Sequence, residues 1–260
     1  MWFSIVSVSL FGLGVGGLFA INSWDYPTYC LLGLIILFLR AFFIKNTERP
    51  FTSAALLGIL FVLVGYVAFL PFHIGFDSGN ASLTGSVWAT PISDYIIIKA
   101  MPIASIIAFV IALTLRRPRV WLKNPLMRSS KRMLITLGIG AVSLIFLCVV
   151  GFYLIPLLIF LILMVLLIMY DLMSNPLDKT SYKWIFLACV LMVYSLCIDF
   201  GVELIRYDND IGRMNTLFKL YLQSWVISGV STVALIYLFF KSFMNTRKNA
   251  TTIVLAIGIF

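Results

Sequence analysis

YLIPLLIFLILMVLLIMY, residues 153–170, runs for 18 positions without a charge. About 20 apolar residues in helical form cross the ~30 Å hydrocarbon core of a bilayer, so this stretch reads as a membrane-crossing helix. The same reading extends in both directions. Apolar runs recur at roughly 2–21, 27–44, 53–71, 96–115, 133–150, 184–200 and 219–240, and another begins near 251. Of the 260 residues, 62% are hydrophobic and 11% charged, against ~45–50% and ~25% in ordinary soluble domains. Such a chain cannot cover a water-facing surface. The ~10-residue alternating segments of a membrane β-barrel are missing. The expected fold is all-α: a polytopic transmembrane helical bundle of 8 or 9 spans, forming a single integral-membrane domain over 1–260.

Positions 133–170 are too many for one crossing, and Gly151 with Pro156 offers a tight turn between two spans. Charge tests that parity, because Lys and Arg favour cytoplasmic loops. With the N-terminus inside, segments 40–52, 116–132, 171–183 and 241–249 hold 15 of the 19 Lys and Arg residues. The loop RRPRVWLKNPLMRSSKR, residues 116–132, has seven basic residues and no acid. Seven of the ten acids, Asp25, Asp77, Asp94, Asp199, Glu203, Asp208 and Asp210, fall on the opposite side. A single crossing at 133–170 would put the 241–249 basic cluster outside, so the bias favours the hairpin. The expected location is a cell membrane, with segments 22–26, 72–95 and 201–218 extracytoplasmic.

The net charge of +9 does not point to nucleic acid, because topology already explains where the basic residues lie. Cys30, Cys148, Cys189 and Cys197 all lie in apolar segments without a CxxC pair, and His73 is the one histidine. A zinc site or a Cys/His nucleophile pair is therefore disfavoured. The first span has no Lys or Arg before Arg40 and so lacks the basic n-region of a signal peptide. Its GLGVGG run, residues 12–17, suits close helix packing.

Three polar segments converge on the outer side, where a bundle would build a site. In NSWDYPTY, residues 22–29, Asn22 can end one helix and Pro27 can open the next. Asp25 then lies at a helix start, where a carboxylate is favoured. Trp24, Tyr26 and Tyr29 suit the headgroup zone or an aromatic platform for a sugar. The second segment, HIGFDSGNASLTGSVWATPISDY at 73–95, is long for a bundle connection. The third is ELIRYDNDIGRMNTLFKLYLQSW at 203–225. Asp199 and Glu203 share one helical face. Asp208 and Asp210 flank Asn209 as a hard-oxygen set suited to Mg²⁺ or Mn²⁺. Gly212 breaks the chain and Asn215 can cap the next helix. A helix start beside Arg213 and Lys219 suits a phosphate. Lys219 lies one turn into an apolar helix, where a charge is costly, and Tyr221, Gln223 and Trp225 continue the polar and aromatic character inward. Each segment also has a plain structural reading: a capped turn, a mobile loop, or a solvated charged loop with snorkelling basic residues.

Residues 22–29 and 203–225 resemble two signatures of the bacterial and archaeal membrane proteins named for a Tyr-Tyr-Tyr motif, the Chlor_Arch_YYY family. Those proteins read N-T-W-D-x-P-T-Y and, later, an acidic stretch followed by R-M-N-T-x-F-K-x-Y-x-Q-x-W. Arg213, Met214, Asn215, Thr216, Phe218, Lys219, Tyr221, Gln223 and Trp225 fall in place, Asp208 matches the upstream acid, and Ser23 stands where Thr is usual. The resemblance implies a GT-C-like fold and a place near the integral-membrane glycosyltransferases that take sugars from polyprenyl-phosphate donors at the outer face. The tyrosine motif and the first outer loop with its acidic residue would lie before residue 1, so the chain is expected to be a fragment truncated at both ends.

On that reading Asp25 or Asp208 acts as base, with Asp208 and Asp210 as metal ligands. Arg213 and Lys219 neutralise the departing lipid phosphate, Asn215 orients it, and Asn22, Trp24, Tyr26, Tyr221 and Trp225 line the substrate. The partners are the bilayer and the polyprenyl-phosphate sugar, with no nucleic acid. The alternatives are a transporter or lipid-handling protein, or a non-catalytic membrane scaffold. Mid-span positions look almost wholly apolar, with charge at the outer edge, which weighs against transport.

Overall fold

The computed structural model describes residues 2–43, 49–76, 82–86, 88–116, 145, 149, 153–174, 179–207 and 213–244. Among these, four helices are long and apolar enough to cross a membrane: Asp25–Phe43, Pro50–Ala68, Tyr182–Leu204 and Met214–Tyr237. The pair Ile92–Ile98 and Ala100–Val110, bent by 80° at its break, passes the same test as one broken span. Ile5–Ile21 and Leu154–Tyr170 are shorter apolar helices. The expected spans at 133–150 and beyond 251, and the turn at Gly151, lie outside the described residues. The chain divides into two compact units, Met1–Ser82 and Leu83–Phe260.

The first unit holds α1 (Trp2–Ile21), α2 (Asp25–Phe43), α3 (Pro50–Ala68) and the short α4 (Leu70–Gly75). Its core gathers Val8, Val15, Leu37 and Phe61. In lipid there is little hydrophobic drive between helices, so small residues that allow close backbone approach set the packing. Gly12 and Gly16, one turn apart on α1, meet the α3 backbone at Phe61 and Gly65. A Cβ on Gly65 would stand 2.7 Å from the Gly12 carbonyl oxygen. Gly14, on the opposite face, has nothing within 4 Å. The α3 helix stops at Ala68 and α4 starts two residues later, with Pro71 in its first turn. Pro71 has no N–H for the Val67 carbonyl and its ring crowds that carbonyl.

The second unit holds β1 (Leu83–Gly85), α5 (Ile92–Ile98), α6 (Ala100–Arg116), α7 (Leu154–Ser174), α8 (Lys179–Leu204), β2 (Ile205–Tyr207) and α9 (Met214–Met244). α8 packs against α7 and α9, and α6 packs against α7 and α9. Leu154, Leu158, Leu161, Val165, Ile168 and Leu172 place one stripe of α7 in the core with Ile185, Cys189, Met192 and Leu196 of α8. Their spacing of three and four residues is that of one helical face. Outward-facing Phe160, Leu163, Trp184, Val230 and Val233 are exposed, as a lipid-facing surface requires.

Three boundaries differ from the sequence expectation. The run at 96–115 is two helices, α5 and α6, meeting at Lys99. Pro102 is the cause: it withholds the N–H that would bond the Ile98 carbonyl and crowds that group. α8 continues to Leu204 rather than ending near 200, so Glu203 lies within the same helix as Asp199. α9 starts at Met214, because the Arg213 carbonyl accepts the first intrahelical bond, from the Leu217 N–H, at 2.8 Å. Asn215 therefore sits in the first turn and Arg213 takes the cap.

The helices are joined by one ribbon. β1 and β2 pair antiparallel, with Leu83 opposite Tyr207, Thr84 opposite Arg206 and Gly85 opposite Ile205. The Ser86 N–H reaches the Leu204 carbonyl at 2.8 Å and extends the ladder into the end of α8. The ribbon brings the second polar segment onto the third.

Candidate functional site

Two buried polar clusters lie one helical turn apart along α8. The first is built on Glu203, whose side chain is fully buried. Its Oε1 accepts from Arg213 Nη1 at 2.9 Å and from the Thr90 hydroxyl at 2.6 Å. Its Oε2 accepts from the Thr90 backbone N–H at 3.0 Å. Arg213 also donates from Nη1 to the Val202 carbonyl at 3.1 Å and from Nη2 to Thr90 Oγ1 at 2.5 Å. The Tyr221 hydroxyl lies 3.4 Å from Glu203 Oε1 and from Thr90 Oγ1. A planar guanidinium with several donors suits such a shared site better than an ammonium would.

Three elements deliver these partners. Glu203 comes from the last turn of α8, Arg213 from the cap of α9, and Tyr221 from two turns further along α9. Thr90 comes from the segment between the ribbon and α5, where the following Pro91 holds the chain extended. The Tyr207 N–H donates to Thr216 Oγ1 at 3.3 Å, tying β2 to the first turn of α9.

The second cluster is built on Asp199 and Lys99, exposed by 0% and 1%. Lys99 Nζ stands 3.3 Å from Asp199 Oδ2, which also accepts from the Tyr95 hydroxyl at 2.8 Å. Lys99 further donates to Ser224 Oγ at 2.5 Å, and Ser224 donates to the Ser195 carbonyl at 3.1 Å. Tyr221 connects the two clusters. Its ring lies 5.9 Å from Lys99 Nζ and 6.1 Å, edge-on, from the Tyr95 ring. The break at Lys99 is what lets its side chain enter the interhelical space.

The sequence-derived candidates are distributed as follows. Arg213 and Tyr221 belong to the first cluster. Asn215 is exposed and Lys219 half-buried on the first two turns of α9, and Trp225 is exposed further along. Asp208 and Asp210, the proposed base and metal ligands, lie outside the described residues. The described residues contain no group of three or more His, Cys, Asp or Glu side chains placed to hold a metal.

Asn22, Trp24, Asp25 and Tyr26 belong to the first unit. The Asn22 N–H donates to the Leu18 carbonyl at 2.7 Å as α1 ends. Asn22 Oδ1 then accepts from the Trp24 N–H at 3.4 Å, and its main-chain carbonyl accepts from the Asp25 N–H at 3.0 Å. Asp25 opens α2, where the helix dipole favours a carboxylate. Tyr26 sits edge-on against Phe19, at 5.4 Å, and Phe19 also meets Phe72, His73 and Phe76. The His73 ring stacks on Tyr66 at 4.5 Å.

Thr90, Tyr95, Ser195 and Ser224 are not among the sequence candidates, and Lys99 is one of the four Lys and Arg residues left outside the inner segments. One signal was available: Lys99 is an isolated cation in an apolar run, three residues before a proline. Asp199 and Glu203 share one face of α8, as their spacing predicts, but the charge tally places both among the outer acids rather than in the core. Burial is possible because each has a cation and a hydroxyl in reach, and burial of an unpaired charge is not tolerated.

Comparison with known proteins adds the family. No curated protein and no solved structure matches the chain. The model of an uncharacterised membrane protein family, DUF2298, matches residues 2–227. With that match spanning most of its length, the chain belongs to the DUF2298 family of membrane proteins.

Proposed function

We propose that the chain is a glycosyltransferase-like membrane protein that uses a polyprenyl-phosphate-linked sugar at the extracytoplasmic face of the cell membrane. The observation that carries this reading is the junction of two polar segments. The ribbon and the Glu203–Arg213–Thr90 cluster hold Leu83–Gly85 against β2 and Thr90 against the start of α9. The motif that resembles the Tyr-Tyr-Tyr family lies on that helix start. The GT-C-like architecture and the 8 or 9 spans belong to the same proposal.

The roles follow from position. Lys219 and Asn215, on the first turns of α9, meet the donor phosphate together with the helix N-terminus. Charge neutralisation of a departing lipid phosphate is the step an enzyme of this kind must stabilise most. Arg213 already shares its guanidinium with Glu203 and Thr90, so it fixes the helix start rather than meeting the phosphate directly. Trp225, exposed on α9, is placed for the lipid portion of the donor. Asp208 supplies the base or, with Asp210, would hold Mg²⁺ or Mn²⁺ to assist the leaving group.

The test is transfer from a panel of polyprenyl-phosphate sugars by the full-length protein in proteoliposomes. Product formation that falls by a factor of about 100 or more in Lys219→Ala supports the roles. Unchanged activity in that variant overturns them.

A further inference from the structure

The Asp199 cluster is not used by the proposed transfer chemistry, and its construction is unusual for a purely structural element. A buried ion pair is often no better for stability than apolar residues of the same volume. Within a membrane span, ionisable groups are expensive and mark function by default. Here the pair sits at an 80° break between α5 and α6, and broken helices are where membrane proteins place ion and proton sites.

The two carboxylate oxygens differ. Oδ2 holds both the Tyr95 hydroxyl and the Lys99 ammonium. Oδ1, although buried, has no hydrogen-bond partner among the described residues. A buried polar atom left unpaired requires an explanation. The Ser224 hydroxyl lies beside both the Asp199 carboxylate and the Ser195 carbonyl, and the Tyr95 proton goes to Oδ2.

We infer that Asp199 is an intramembrane proton-binding site, with Oδ1 as the atom that takes the proton. On protonation the carboxylate becomes a neutral carboxyl. Lys99 then loses its counter-ion but keeps Ser224 and the face of the Tyr221 ring. The proton comes from water and returns to it. A metal cation is disfavoured as the occupant, because the Lys99 ammonium already stands 3.3 Å from the carboxylate.

The groups around Asp199 can be named element by element. Tyr95 faces it from α5 and Lys99 from the break. α9 contributes Tyr221 and Ser224, and α8 itself contributes Ser195 and Glu203, the latter paired with Arg213. Residues 154–169 of α7 and 100–110 of α6 carry no ionisable side chain. The site does not depend on the transferase reading.

Infrared titration of the full-length protein in lipid films tests it, by following the carbonyl band of protonated carboxyls as pH is lowered. The expected result is a titrating band that is lost in Asp199→Asn and kept in Glu203→Gln. Tyr95→Phe removes a hydrogen bond to the charged form and raises the midpoint by about one pH unit; Lys99→Gln removes the neighbouring cation and raises it further. A band unchanged in Asp199→Asn overturns the inference. If Asp199→Asn does not fold, unmoved midpoints in both Tyr95→Phe and Lys99→Gln overturn it. A midpoint that depends on sodium or potassium concentration makes the occupant a metal cation and also overturns it.

Discussion

Glu203 and Arg213, ten positions apart in the chain, form a 2.9 Å ion pair with both side chains buried. The pair joins the last turn of α8 to the cap of α9 across the segment that carries Asp208 and Asp210. Thr90 completes it from a third element. A buried pair that loses one partner leaves a charge without compensation, at a cost of about 3–5 kcal/mol. Glu203→Gln is therefore expected to lower the unfolding midpoint in detergent markedly. The double variant Glu203→Gln with Arg213→Gln should recover part of that loss. Independent, additive losses in the two single variants would show that the pair is not coupled.

The ribbon makes a separate prediction. Leu83 and Tyr207 are directly opposite, and opposed residues in an antiparallel pair have Cα atoms about 4.5–5.5 Å apart, within disulfide range. With the native cysteines replaced, Leu83→Cys combined with Tyr207→Cys should cross-link on mild oxidation. Cleavage of the 116–132 loop by protease, followed by electrophoresis, reads the link as two fragments that separate only after reduction. Fragments that separate without reduction would refute the pairing.

The glycine seam of the first unit can be probed by contrast. A side chain at Gly16 would enter the Gly65 backbone, whereas Gly14 faces open space. Gly16→Leu is expected to destabilise α1–α3 packing by about 1–3 kcal/mol, and Gly14→Ala to leave the thermal midpoint within a degree or two of the parent, or slightly above it. Equal effects at both positions would contradict the packing.

How much of this was legible in the sequence depends on the kind of signal. Apolar runs announce helices directly, so the helical membrane class and most of the described spans follow from hydropathy. GLGVGG could be read because small residues at a spacing of four have a single common use in lipid. The Asn22 turn could be read because capping is local, although the next helix opens at Asp25 rather than at Pro27. The clusters could not. Lys99 and Asp199 are 100 positions apart, and whether two isolated charges pair is decided by helix packing. Short polar residues spread through apolar runs hid the rest: Ser195, Ser224, Ser228, Ser231 and Thr232 are all buried along α8 and α9. The mid-span interior is thus more polar than the runs suggested, which weakens the argument against transport drawn from apolar mid-spans. The ribbon was missed because three-residue strands with no alternation carry no period to detect.

Sidedness gives another check. Single cysteines at Gly85, exposed with open space around it, and at Lys123, in a chain otherwise free of cysteine, should react with a membrane-impermeant maleimide from opposite sides. Gly85→Cys should label in intact cells, and Lys123→Cys only after permeabilisation. The opposite pattern would place the ribbon and the α9 start on the cytoplasmic side and remove the extracytoplasmic donor from the account.

The most direct measurement is mass-spectrometric detection of sugar transfer from polyprenyl-phosphate donors by the full-length protein in proteoliposomes, comparing the parent with Lys219→Ala. The account predicts a glycosylated acceptor and free polyprenyl phosphate with the parent. It predicts a loss of about 100-fold or more in the variant, the scale of losing one transition-state charge contact. Equal transfer by parent and variant, or no transfer from any donor in the panel, would contradict it.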